Sequence, residues 1–112
     1  MTVLLLEDNV MFTMPVVEAA GALGHTVIPV ASPEEAMSRL RPGALDAVLM
    51  DMRLVTRELV GAIPSSTAVA AFGPHVEGQL FMELRQLGVK DVWPNSKLRE
   101  KLPRWLERVA AD

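Results

Sequence analysis

The sequence predicts one α/β domain built on a five-stranded parallel sheet with helices on both faces. Short, continuous apolar runs recur along the 112 residues, and such runs mark strands buried on both faces. Between them lie stretches whose apolar residues repeat at helical spacing. The connections are short, so neighbouring strands must be joined by crossover helices, which makes them parallel.

Each element follows in order. Val3 to Leu6 is the first strand, with Glu7 and Asp8 at its C-terminal end. Val10 to Leu23 reads as a helix with Pro15 in its first turns, where a missing N–H costs little. Thr26 to Val30 is the second strand. Ser32-Pro33-Glu34-Glu35 starts a helix with a capping serine, a proline at the first helical position and acids in the first turn. That helix is expected to reach Arg41, before Pro42-Gly43. Asp46 to Met50 is the third strand, ending at Asp51. A short, weak helix follows between Arg53 and Ile63. Thr67 to Phe72 is the fourth strand, closed by Gly73-Pro74. His75 to Leu87 is helical, and Val89 to Trp93 is the fifth strand. A last helix runs from Lys97 to Ala110, and Pro103 is expected to divide it. This alternation fits a flavodoxin-like doubly wound sheet of strand order 2-1-3-4-5. A dinucleotide-binding fold is disfavoured, because Glu7-Asp8-Asn9 stands where its glycine fingerprint belongs.

Composition narrows the function classes. The length is that of one domain, residues 1–112, with no output domain expected beside it. No cysteine is present, which excludes disulfides, thiolate metal sites and thiol catalysis. The opening apolar run is too short for a signal peptide or a membrane span, so a cytoplasmic location is expected. Net charge is −3, and no basic block points to nucleic acid. The cations gather in residues 97–112, which carry five of the eleven; helix ends favour them there. His25 and His75 have no second His or Cys at metal spacing. The seven methionines read as core filler.

Chemistry collects at the C-terminal ends of the strands of such a sheet. Those ends are Glu7 and Asp8, Asp51, Gly73 and Asn95. The first and third strands are neighbours, so three carboxylates converge and repel one another unless a cation intervenes. Hard oxygen donors of this kind suit Mg²⁺. With the ion at Asp8 and Asp51, Asp51 could attack a phosphorus centre.

At this point the sequence resembles a known family, the receiver domains of bacterial response regulators. Leu-Leu-Leu-Glu7-Asp8-Asn9 is similar to the family's acidic pair. Ala-Val-Leu-Met-Asp51-Met-Arg-Leu is similar to the strand bearing its phosphoacceptor, and Gly88-Val-Lys-Asp91-Val-Trp-Pro to the segment entering its fifth strand. The resemblance implies Asp51 as phosphoacceptor. It implies Glu7, Asp8, Asp51 and the backbone carbonyl of Arg53 as Mg²⁺ ligands.

The departures fall on the readout. Gly73 stands where the family places a Thr or Ser, Asn95 where it places a lysine, and Val92 where it places a switch aromatic. Val55 replaces a proline, and the third helix must be about two turns shorter than usual. Lys97 is the nearest substitute for the lost lysine. The expected protein is therefore an atypical, pseudo-receiver signalling module of the two-component phosphorelay type. It is not an enzyme, and it acts through protein–protein contacts. Its partner would be a histidine kinase or a downstream regulator, met on the surface spanning Val76 to Leu106. Trp93, Lys97, Arg99 and Lys101 are the candidate contact residues, and a homodimer through that face is plausible. The alternative is an Mg²⁺-dependent phosphatase-like or small-ligand-binding domain. It lacks a second aspartate, because Arg53 holds that place. A cobalamin module would need a His in the first loop.

Overall fold

In a computed structural model, which describes residues 1–74 and 78–111, strands and helices alternate in the predicted order. The elements are β1 (Thr2–Leu6), α1 (Val10–Ala22), β2 (Thr26–Val30), α2 (Pro33–Met37) and β3 (Ala47–Asp51). A 3-10 turn (Met52–Leu54) precedes α3 (Arg57–Ala62), β4 (Ala68–Gly73), α4 (Gln79–Gln86) and β5 (Asp91–Pro94). A second 3-10 turn (Asn95–Lys97) leads into α5 (Leu98–Ala111). The strands form one parallel sheet of order β2-β1-β3-β4-β5. Pro29 and Pro94 lie on the two edge strands, where a missing N–H breaks no interior ladder.

Alternation along the strands divides the core into two faces. Val3, Leu5, Leu49, Phe72 and Trp93 point toward α1 and α5, where Val16, Ala20, Leu102 and Trp105 meet them. Leu4, Leu6, Val48 and Met50 point the other way, toward Ala36 of α2 and Leu59 of α3. Met52, Ala71, Leu84 and Val89 continue that second layer under α4. β1 and β3 are almost wholly apolar because helices cover both their sides.

Local chemistry sets the helix starts. Asn9 Oδ1 accepts from the Met11 N–H at 2.9 Å, Ser32 Oγ from Glu35 at 3.2 Å and Thr56 Oγ1 from Leu59 at 3.1 Å. Gly88, at φ 95°, supplies the left-handed turn that ends the α4 segment.

Four expectations need correction. The second helix ends at Met37 rather than Arg41. Pro103 does not divide the last helix: α5 is continuous, and the carbonyl deprived of a partner is that of the exposed Arg99. Pro15 stands in the first turns of α1, as expected, in the second of them, and the carbonyl it leaves without a helical partner belongs to the exposed Met11. The methionines are not uniformly core, since Met11, Met14, Met37 and Met82 are exposed while Met50 and Met52 are buried. Trp93 is buried, its ring edge-on to Trp105 at 5.6 Å between centroids. It therefore joins β5 to α5 and presents no contact surface. The shortened third helix is found, with six residues in α3. The expected helix start at His75 and the surface residue Val76 fall outside the described residues.

Candidate functional site

The ends of β1 and β3 bring three carboxylates together. Glu7 and Asp8 follow β1, and Asp51 is the last residue of β3, one strand away. Ligand-type oxygens of all three lie within 4.8 Å of one another. Glu7 and Asp51 are each 3% exposed, while Asp8 is open to solvent. Two buried acids side by side carry a large electrostatic cost, so each needs a proton or a cation.

Arg53 supplies the cation. The 3-10 turn after β3 is capped by Asp51, whose Oδ1 accepts the Arg53 backbone N–H at 2.9 Å. The same turn folds the Arg53 side chain back over the pocket. Its Nε donates to Asp51 Oδ1 at 3.1 Å and Oδ2 at 3.0 Å, and one Nη donates to Oδ2 at 2.5 Å. That Nη also lies 3.1 Å from Asp8 Oδ1 and 3.6 Å from Glu7 Oε2. A single guanidinium nitrogen thus reaches all three acids. The sequence reading assigned Arg53 only through its carbonyl and missed the side chain; a cation two residues beyond the acid in a tight turn was the available signal.

These contacts set the protonation states. Burial works to raise Asp51, but hydrogen bonds from the Arg53 side chain, from Glu7 and from the Arg53 backbone outweigh it, and Asp51 falls below 3.8. Glu7 is pushed up to about 8, first by burial and then by its hydrogen bond to, and the charge of, Asp51. As a carboxylate Glu7 would leave Oε1 buried without a donor; a proton shared with Asp51 removes that cost. Asp51 holds the Arg53 guanidinium firmly protonated.

The opposite half of the site is differently filled. Gly73 ends β4, and a Cβ placed there would overlap Sδ and Cγ of the buried Met52. The thioether therefore occupies the space a hydroxyl side chain would need. Asn95 starts the turn after β5, and its buried Oδ1 has no hydrogen-bond partner among the described residues. Val92 is half-buried against the α4 layer. Lys97 is exposed and pairs with Glu100 at 3.4 Å, so it does not reach into the pocket. Arg99 lines a groove between α1 and α5 with Met11, Phe12, Pro15 and Asn95. Lys101 is exposed. His75 lies outside the described residues. The sequence reading also missed the apolar surface on the first turns of α1, where Val10, Met11 and Met14 are exposed beside the pocket.

Fold and site together define a class: the chain has the fold of the receiver domains of response regulators. The receiver domain of a sensor histidine kinase from Pseudomonas aeruginosa, with a magnesium ion coordinated in its active-site cleft, is similar at TM-score 0.83. It is 24% identical, over 99% of this chain and 98% of that one. The non-phosphorylated HemR receiver domain from Leptospira biflexa has TM-score 0.79 and 25% identity, over 96% and 92%. A response regulator from Thermotoga maritima has TM-score 0.74 and 21% identity, over 99% and 98%. No family model and no curated protein sequence matches the chain. Among the described residues no helix is long and apolar enough to cross a membrane.

Proposed function

We propose that this chain is a receiver-fold signalling module, not an enzyme, that acts by binding other proteins and does so independently of phosphorylation. The observation that carries this is the guanidinium of Arg53, which engages both oxygens of Asp51, the candidate phosphoacceptor. A nucleophilic carboxylate needs a free lone pair, and these are committed. Gly73 and Asn95 support the same reading, because neither offers the charged or hydroxyl donor that would hold phosphoryl oxygens. The partner would be a histidine kinase or a downstream regulator in the cytoplasm. The α4–β5–α5 face is the proposed surface, with Lys97 and Lys101 as exposed contact residues and a homodimer as one use of it, whereas Arg99 lines the groove toward α1.

The pocket's donors fit Mg²⁺: they are hard oxygens, and the Glu7 carboxylate has a buried oxygen without a donor. Glu7, Asp8, Asp51 and the Arg53 carbonyl would hold it. A bound ion would neutralise charge on phosphoryl oxygens. The phosphatase-like alternative is weaker, because Arg53 stands where a second acid is needed and pairs with the first.

Intact-protein mass after incubation with a small phosphodonor and Mg²⁺, beside Asp51→Asn, tests the proposal. An unchanged mass in folded protein is expected. One added phosphoryl group, absent from the control, would overturn phosphorylation independence.

A further inference from the structure

We infer that Arg53 is a tethered replacement for the divalent cation of this pocket, so that metal and guanidinium exclude one another. The inference rests on reading the three acids as a cation site. Its own evidence is positional. One Nη of Arg53 contacts Glu7, Asp8 and Asp51 together, which is the place any ion shared by these three acids would take. The side chain is fixed at both ends, since its backbone N–H and its guanidinium both bond Asp51. A planar fork on a carboxylate is also the strongest geometry available to an exposed cation. Arg53 remains half exposed, with a side chain at 50%. It therefore has solvent to move into when displaced.

The consequence is a pocket that is charge-compensated before any ion arrives. An incoming Mg²⁺ must break the Asp51 fork and expel the guanidinium. Expulsion frees the Asp51 oxygens for the ion, while Gly73 and Asn95 still offer no charged or hydroxyl donor to phosphoryl oxygens. Metal occupancy is thus linked to one rotamer of a residue two positions away. The effective metal affinity is the intrinsic affinity of the acids reduced by the cost of releasing Arg53.

Calorimetric Mg²⁺ titration of the wild type, Arg53→Gln and Arg53→Lys, with thermal unfolding of each in EDTA, tests this. Arg53→Gln is expected to bind Mg²⁺ about ten- to a hundredfold more tightly than wild type, the equivalent of one charge-assisted hydrogen bond. It should also unfold at lower temperature in EDTA and recover on adding Mg²⁺. Arg53→Lys, a cation without the fork, should fall between. Equal Mg²⁺ affinity in wild type and Arg53→Gln overturns the inference. If neither binds Mg²⁺, the metal part of the proposed function fails, and the EDTA data decide Arg53 alone. A loss in Arg53→Gln that disappears in an Asp51→Asn background keeps Arg53 as the pocket's cation, whereas additive losses overturn it.

Discussion

The two halves of the strand-end site are filled in opposite ways. On the β1–β3 side the acids Glu7, Asp8 and Asp51 converge, with ligand-type oxygens within 4.8 Å of one another. On the β4–β5 side packing fills the site: Met52 occupies the space above Gly73, and the buried Asn95 Oδ1 has no hydrogen-bond partner among the described residues. In the proposed reading, one half offers the chemistry for receiving charge and the other offers no charged or hydroxyl donor to report it. Arg53 reconciles them, because a built-in cation lets the acids persist without a metal or a phosphoryl group.

The sharpest way to break this comparison is to rebuild the missing hydroxyl. Gly73→Thr is expected to destabilise by about 2–3 kcal/mol, since its Cβ meets the buried Met52. Met52→Ala alone should cost about 2–5 kcal/mol through the cavity it leaves. The double variant should cost less than the sum of the two by about 1 kcal/mol or more in urea unfolding. Additive losses would mean that Met52 does not stand in for the hydroxyl.

A second effect belongs to the acidic half and is best read in EDTA. The folded-state value of Glu7, about 8, lies above its ordinary 4.5. The folded protein therefore holds this proton more tightly than the unfolded chain. The resulting stability is complete below 4.5 and is lost as pH rises through about 8. Asp51 acts with the opposite sign, its contribution present above 3.8 and lost as pH falls through its lowered value. Glu7→Gln should flatten the decline between pH 5 and 8. The difference is expected to be on the order of 1 kcal/mol or more, since each tenfold change in proton affinity is worth about 1.4 kcal/mol. A wild-type profile parallel to that of Glu7→Gln would show that Glu7 is ionised throughout.

The smallest effect is expected at Asn95. Its buried oxygen has no hydrogen-bond partner among the described residues, so Asn95→Ala is expected to change stability by less than about 0.5 kcal/mol. A loss above 1 kcal/mol would reveal a polar contact on the readout side.

The sequence carried the strand order, the converging acids and the stunted third helix, because each depends on local pattern: apolar runs, acids at run ends, and the distance from Asp51 to Gly73. It did not carry features that depend on where a side chain goes in space. Arg53 folds back only because a 3-10 turn follows β3. Met52 meets Gly73 across two neighbouring strands' ends. Trp93 is buried because α5 lays Trp105 against it, although β5 is an edge strand and its tryptophan read as a contact residue. Pro103 read as a break, yet the helix continues, since the bond it forgoes is at an exposed carbonyl near the helix start.

The most direct test is whether the two halves still communicate. Amide chemical shifts of the wild type can be recorded before and after adding Mg²⁺ with a small phosphodonor. The account predicts that any changes stay around Glu7, Asp8 and residues 51–54, leaving α4, β5 and α5 unmoved. Shifts spreading from Asp51 through Val92 and Trp93 into α4 and α5 would contradict it, and would mean that the readout survives by a route other than the missing side chains.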